Sequence, residues 1–241
     1  GGIVPEVAAR EQLRSIIPVI TEALSVTNLK NINAIAVTVG PGLIGSLLVG
    51  VETAKTIAFV TGKPIIPVNH VIAHMYANFI DSKQITFPAI SLVVSGGHTE
   101  LYLMKSVKDL AWLGGTLDDA AGECFDKTAR LLGFGHGGGA SIQSAAEKFK
   151  VSSLKFKISL PRPMINDKSL NFSFSGLKTA VMREWKKLNN PELASAFAYE
   201  IQESITDVLV TKTLRAAKQF GAKSILLSGG VAANVRLREK F

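Results

Sequence analysis

One cysteine in 241 residues, Cys124, excludes a disulfide framework and a cysteine-built zinc knuckle, and makes a reducing compartment the expected setting. Charge is also sparse: 19% charged against 47% hydrophobic residues excludes a disordered polyelectrolyte and leaves a chain able to bury a core. The 21 glycines fall in short clusters without a repeat period, so collagen-like and low-complexity sequences are excluded as well. No initiator Met and no basic region followed by an apolar signal segment opens the chain. Gly1 to Arg10 reads like the interior of a longer protein, and a fragment is expected. Acid is the scarcer sign: 27 Lys and Arg against 19 Asp and Glu leave a net +8, which favours nucleic acid or nucleotide partners.

An uncharged stretch from Asn31 to Val51 matches the roughly 20 residues a membrane span needs. Gly40-Pro41-Gly42 cuts it in two and Ile35, Val37, Val39 alternate before the cut, so strand, turn and helix are expected in place of a span. Around it the pattern predicts a helix from Pro5 to about Leu24, a strand near 33–39, a helix over about 43–60, a strand near 65–68 and a helix carrying His70 and His74. A second block opens at Ala89, where AISLVV and TELYLM flank a glycine turn, which predicts a boundary near 84–88 and domains 1–86 and 87–241. Beyond it the pattern predicts a helix over 119–132, a glycine-rich loop at 135–139, a basic stretch near 148–168, a helical run over 192–220, the strand SILLS, and a final helix VAANVRLR.

Four glycine-centred turns lie at strand ends or helix starts: 39–46, 95–100, 133–141 and 228–234. Such turns expose backbone N–H groups that can hold phosphate, although glycine also serves simply to allow positive φ. Neither G-x-x-x-x-G-K-[ST] nor a dinucleotide G-x-G-x-x-G with its acidic partner occurs, so the phosphates are expected between two lobes. His70 and His74, four apart on a helix, share a face and can aim two nitrogens at one metal ion; two histidines in ordinary polar bonds fit the same spacing. Val71 stands where an H-E-x-x-H peptidase has its glutamate. Asp118 and Asp119 suit helix caps, and Asp126 suits a ribose hydroxyl or an ion pair with Lys127 or Arg130. Ser173 and Ser175 suit caps or phosphate contacts, and Asn234, expected in the first turn of the last helix, suits a base or sugar.

Seven blocks in order resemble the tRNA threonylcarbamoyladenosine transferase family, formerly described as O-sialoglycoprotein endopeptidases or glycoproteases. They are GGIVPEVAAR, VTVGPGLIGSLLVG, VNHVIAH, LVVSGGHTEL, TLDDAAGECFDKTARLLG, NFSFSGLKTAV and LSGGVAANVRLR. DDAAGE and NFSFSGLKT are closest to its bacterial and mitochondrial branch. The resemblance implies an α/β fold of the actin, Hsp70 and sugar-kinase type (ASKHA), two-lobed and here truncated at both ends. It also implies transfer of the threonylcarbamoyl group from threonylcarbamoyl-AMP to N6 of the adenosine next to the anticodon, in tRNAs reading codons that begin with A. Alternatives from other classes are a metallopeptidase and an actin-like ATPase or binding module.

By the same resemblance His70 and His74 are ligands of one divalent metal, iron or zinc, and Val93, Val94, Ser95, Gly96, Gly97, Asp126, Gly139 and Asn234 bind threonylcarbamoyl-AMP or ATP. Implied partners are tRNA, a TsaB-like inactive paralogue and a TsaE-like ATPase, in the cytoplasm and with no membrane. No catalytic residue is assigned. The family's first strand and phosphate hairpin would precede Gly1, and its third metal ligand, an Asp, would follow Phe241, so an incomplete site and impaired activity are expected of this chain. Gln12 stands where the family has a His, and GHGGGA replaces a proline-flanked double glycine.

Overall fold

The structure is a computed structural model that describes residues 4–80, 84–135, 137–149 and 158–241. Part of the opening block (1–3), His136 of the glycine-rich loop and residues 150–157 of the basic stretch lie outside the described residues. The chain divides into two compact units, Gly1–Ala73 and His74–Phe241.

In the first unit α1 (Pro5–Ala23) starts on a proline, whose missing N–H is not needed in the first turn. β1 (Ile35–Gly40), α2 (Ile44–Thr61) and β2 (Ile65–Asn69) form a βαβ unit with parallel pairing from Ile35↔Ile65 to Thr38↔Val68. α2 ends on Gly62 at φ 68°, whose N–H returns to the Ala58 carbonyl at 2.8 Å. The 31–51 stretch therefore folds as strand, turn and half a helix. Among the described residues α2 is nevertheless one helix long and apolar enough to cross a membrane by length and composition, with only 11% of its window buried. It carries a Glu52–Lys55 pair at 2.8 Å.

The second unit is built on a four-stranded sheet in the order β5-β4-β3-β6. β3 (Ala89–Val94) pairs antiparallel with β4 (Thr99–Met104), β4 antiparallel with β5 (Leu110–Gly115), and β3 parallel with β6 (Ser224–Ser228). β3 is buried at all six positions, as a central strand covered on both faces must be. One face, with Ile90, Leu92, Val94, Leu101 and Leu103, joins the main core with α4 (Ala121–Leu131), α5 (Gly138–Glu147), α6 (Ser175–Leu188) and α7 (Ala194–Phe220). The other buries Ala89, Met104 and Leu226 against Phe79, Ile85 and Phe87. That cluster explains why the compact division falls at 73/74, inside α3 (His70–Tyr76), and not at the expected 86/87: Phe79 stacks on Phe87 at 6.4 Å and belongs to the sheet.

The 27-residue α7 runs about 40 Å through the second unit and is capped by Gly221 at φ 61°. On it Glu203 meets Arg236 at 2.6 Å and Lys240 at 3.0 Å, Asp207 meets Lys240 at 2.6 Å and Arg162 at 3.1 Å, and Glu200 also pairs with Arg162. Burial alone would raise the Glu203 carboxyl, but the hydrogen bonds from Arg236 and Lys240 overcome it and hold it below the ordinary range. This network ties α8 (Val235–Glu239) and residues 160–162 to one rod.

Candidate functional site

Two glycine turns, 133 residues apart in sequence by their first glycines Gly96 and Gly229, meet because β3 and β6 are adjacent and parallel, with Val93 opposite Ser228. Each turn leaves the carboxyl end of its strand, the place where open α/β sheets bind ligands. Close approach of backbones makes the meeting possible. Gly229 sits at φ 91°, ψ 167°, a region open only to glycine, and a Cβ there would overlap the Val94 carbonyl, lying 2.8 Å from its carbon. Gly122, in the first turn of α4, lies against Ser95 in the same way and donates its N–H to the Ser95 carbonyl at 3.2 Å.

A cavity of about 430 Å³ opens at this corner, lined by Gly96, Gly122, Phe125 and Asp126, by Gly139, Gln143 and Glu147 of α5, and by Gly230 and Asn234. Gly96, Asp126, Gly139 and Asn234 are the four sequence candidates that it brings together. Val93 and Val94 are fully buried in β3, backbone included, and with Ser95 and Gly97 are not among the residues lining this cavity. The Ser95 hydroxyl accepts the N–H groups of Gly97 (3.4 Å) and His98 (3.1 Å), so it braces its own turn and occupies two amides expected to be free. The first amides of α4 are likewise taken, Ala121 by the Thr99 hydroxyl at 2.9 Å and Gly122 by Ser95.

Asp126 is exposed on α4, and among the described residues no donor reaches its carboxylate; Lys127 turns instead to Asp119 (2.7 Å) and Glu123 (2.9 Å). Gly138, with φ 43°, holds the place beside it: a Cβ there would overlap the Asp126 carboxylate, 2.8 Å from Cγ. Asn234 does not sit in the first turn of the last helix. The segment splits into a 3-10 turn (Gly230–Ala233) and α8, and Asn234 is the N-cap of α8, its Oδ1 accepting Leu237 N–H at 2.9 Å. Its amide donates to Gln202 Oε1 at 3.0 Å, which leaves one amide hydrogen for a ligand. Gln143 and Glu147 were not singled out by sequence; their spacing of four and eight residues from Gly139 on α5 is the signal that finds them. Gln143 also accepts Val235 N–H at 3.0 Å and so ties α8 to α5.

The acidic pair at 118–119 does not cap its own helix, whose N-cap is Ala120. Asp118 reaches across to α6, accepting the hydroxyls of Ser173 (2.6 Å) and Ser175 (2.7 Å) and the N–H groups of Phe174 (2.8 Å) and Ser175 (3.2 Å). The two serines are therefore engaged by a carboxylate and do not form an anion site. Burial would raise the Asp118 carboxyl, but these hydroxyls and amides together pull it down from 3.8 to about 2. A depressed carboxyl stabilises the fold above its unfolded pKa and loses that contribution as pH falls through its folded one. Asp118→Ala should lower stability by about 1 kcal/mol above pH 5, as a lost cap does. In thermal melts the gap to wild type should close between about pH 4 and 2; a gap unchanged at pH 2 would contradict this.

His70 and His74 both lie on α3, whose N-cap Asn69 accepts Val71 N–H at 2.9 Å and Ile72 N–H at 3.1 Å. The helix places the two imidazoles on one face. Among the described residues no group of three His, Cys, Asp or Glu side chains is close enough to hold a metal. His70 also lines a cavity of about 630 Å³ in the first unit with Gln12, Thr38 and Ser46.

A family model for the tRNA N6-adenosine threonylcarbamoyltransferase TsaD matches residues 1–241. A tRNA N6-adenosine threonylcarbamoyltransferase of Persephonella marina is 51% identical over 100% of this chain and 69% of its own length. Those of Syntrophomonas wolfei (49%, covering 99% of the chain and 70% of the relative) and a Sulfurihydrogenibium species (50%, 100% and 70%) are similar to the same extent. Among solved structures HypF of T. kodakarensis is similar in fold, with a TM-score of 0.62 at 15% identity over 99% of this chain and 39% of that one.

Proposed function

The chain belongs to the tRNA N6-adenosine threonylcarbamoyltransferase family and is a tRNA-modifying acyltransferase, and from that premise we propose how its second unit serves the reaction. The donor is threonylcarbamoyl-AMP and the acceptor is N6 of the adenosine next to the anticodon in tRNAs reading codons that begin with A. The amine nitrogen attacks the carbamoyl carbon, a C–N bond forms, the C–O bond to phosphate breaks, AMP leaves, and the amine proton passes to solvent or a base. Because AMP is already a good leaving group, the protein's main contribution is to hold donor and acceptor in line.

The observation that carries this reading is the convergence of Gly96, Asp126, Gly139 and Asn234 on one cavity in a chain matched over its whole length by the family. Among the described residues the charged side chains lining that cavity, Asp126 and Glu147, are both acidic, which suits hydroxyl donors and repels phosphate. The nucleoside end of the adenylate therefore sits between α4 and α5, with ribose hydroxyls on Asp126, and its phosphate lies toward the Gly96 and Gly230 backbones. Among the described residues no Lys or Arg lines the cavity, which leaves phosphate to backbone amides.

Iron or zinc on His70 and His74 rests on the family resemblance and the shared helix face. Two imidazoles are chemically suited to either ion and would supply two of its ligands. A TsaB-like paralogue, a TsaE-like ATPase and a cytoplasmic setting rest on the same resemblance. No observation favours the peptidase alternative, since Val71 occupies the position of the general base.

The test is incubation of the protein, extended to the full length of its relatives, with threonylcarbamoyl-AMP, or with its precursors and the partner proteins, followed by mass analysis of nucleosides from unmodified tRNA. The expected product is threonylcarbamoylated adenosine at the anticodon-adjacent position. An unmodified adenosine in the presence of intact donor overturns the reading.

A further inference from the structure

The cavity accounts for the donor and leaves open which surface receives the tRNA. Among the described helices α6 is set apart by its charge. Its 14 residues carry Lys178, Arg183, Lys186 and Lys187 against the single acid Glu184, which is three of the chain's eight net positive charges. α7 carries three acids and three bases, α4 two of each, and α2 one of each. Arg183, Lys186 and Lys187 are exposed and Lys178 is half-buried, away from the buried Leu177 and Val181, and the side chains of Arg183 and Lys187 are 74% and 73% exposed.

Ordinary helix electrostatics explains only part of this. Lys186 and Lys187 sit in the last turn, where the macrodipole favours cations, but Lys178 closes the first turn, where it does not. Glu184 is shared between Arg183 at 3.3 Å and Lys187 at 3.9 Å, while Lys178 and Lys186 have no acidic partner among the described residues. The row spans about 14 Å from Lys178 to Lys187. It is also rigidly mounted: the four bonds from Asp118 fix the start of α6 to the turn that opens α4, the helix carrying Asp126.

We propose that the exposed half of α6 is a docking surface for the sugar-phosphate backbone of tRNA, its four cations contacting phosphates and leaving the bases unread. The assignment rests on the function proposed above. Phosphate contacts fix register and orientation without reading sequence, which suits an enzyme that acts on several tRNAs. They also release counterions, so each contact adds to the salt dependence of binding.

The test compares wild type with a variant combining Lys178→Gln, Arg183→Gln, Lys186→Gln and Lys187→Gln, both in the form that modifies tRNA in the assay above. The Kd for unmodified tRNA is measured across a salt series. The slope of log Kd against log salt should become shallower by about 3, at roughly 0.7–0.9 per phosphate contact, and KM for tRNA should rise while KM for threonylcarbamoyl-AMP stays put. Glu184→Gln should act in the opposite sense and tighten tRNA about twofold by removing the one competing acid, an outcome that loss of folding cannot imitate. If the fourfold variant does not fold, Lys186→Gln with Lys187→Gln should still flatten the slope by about 1.5. A wild-type slope in either folded variant, with the wild-type protein modifying tRNA normally, overturns the surface assignment alone. A wild-type protein that neither binds nor modifies tRNA overturns the function and this surface with it.

Discussion

Asp126→Ala should keep its melting temperature within a degree or two of wild type and raise KM for threonylcarbamoyl-AMP about 10- to 100-fold, the scale of one or two lost hydrogen bonds to a charged group. Stability is spared because the carboxylate is exposed on α4 and, among the described residues, makes no hydrogen bond. Binding suffers because the same carboxylate faces the cavity. Gly138→Ala tests the idea from the other side of the contact. Its Cβ would displace the Asp126 carboxylate, which is the movable end of a side chain, and it would hold alanine at φ 43°, a left-handed conformation costing about 1 kcal/mol. The expected result is a KM as poor as that of Asp126→Ala with only a small loss in stability. Normal KM in both variants would remove Asp126 from the ribose.

Gly229→Ala should do the reverse and damage the fold first. Its Cβ meets the Val94 carbonyl, a backbone group in the central strand that cannot move aside, and φ 91° with ψ 167° is closed to alanine. The cost should be about 3 kcal/mol or more, which for a unit of this size lowers Tm by roughly 6–12 °C. Gly230, its neighbour, has nothing within 4 Å of a built Cβ and no positive φ, so Gly230→Ala should melt close to wild type. Thermal melts of the pair decide the matter, and equal melting temperatures would contradict the packing account.

Where local pattern and tertiary environment agree, the sequence was easy to read. The turn after β1, the β3-turn-β4 hairpin and the SILLS strand each join a mainly apolar run to a glycine turn, and each stands where it is expected. β5 was missed because LAWLGG combines an exposed Trp112 with two glycines; Gly114 is needed there because Leu170 passes directly over it. The start of α5 reads as loop because it begins in a run of glycines, and only packing against α4 and α7 turns those residues into helix. Roles that depend on distant partners were the least legible. Nothing near Asp118 in sequence points to serines 55 and 57 residues away, and nothing near Asn234 points to Gln202. The cavity candidates were found through the family blocks, whose glycines mark backbone approaches that no periodicity reveals.

The pairing of β3 with β6 has a consequence for the order in which the site comes into being. The partners Val93 and Ser228 are 135 residues apart, a span that takes roughly 7–27 s to synthesise at 5–20 residues per second. Throughout that interval a strand apolar at five of its six positions waits on the ribosome with one row of amides and carbonyls unclaimed, inviting adhesion to other nascent chains. Gly96, Asp126 and Gly139 of the cavity are made by then, and Gly230 and Asn234 arrive after β6. A ribosome stalled before Ser224 therefore leaves a sticky, pocketless intermediate, and binding competence is acquired in one late step.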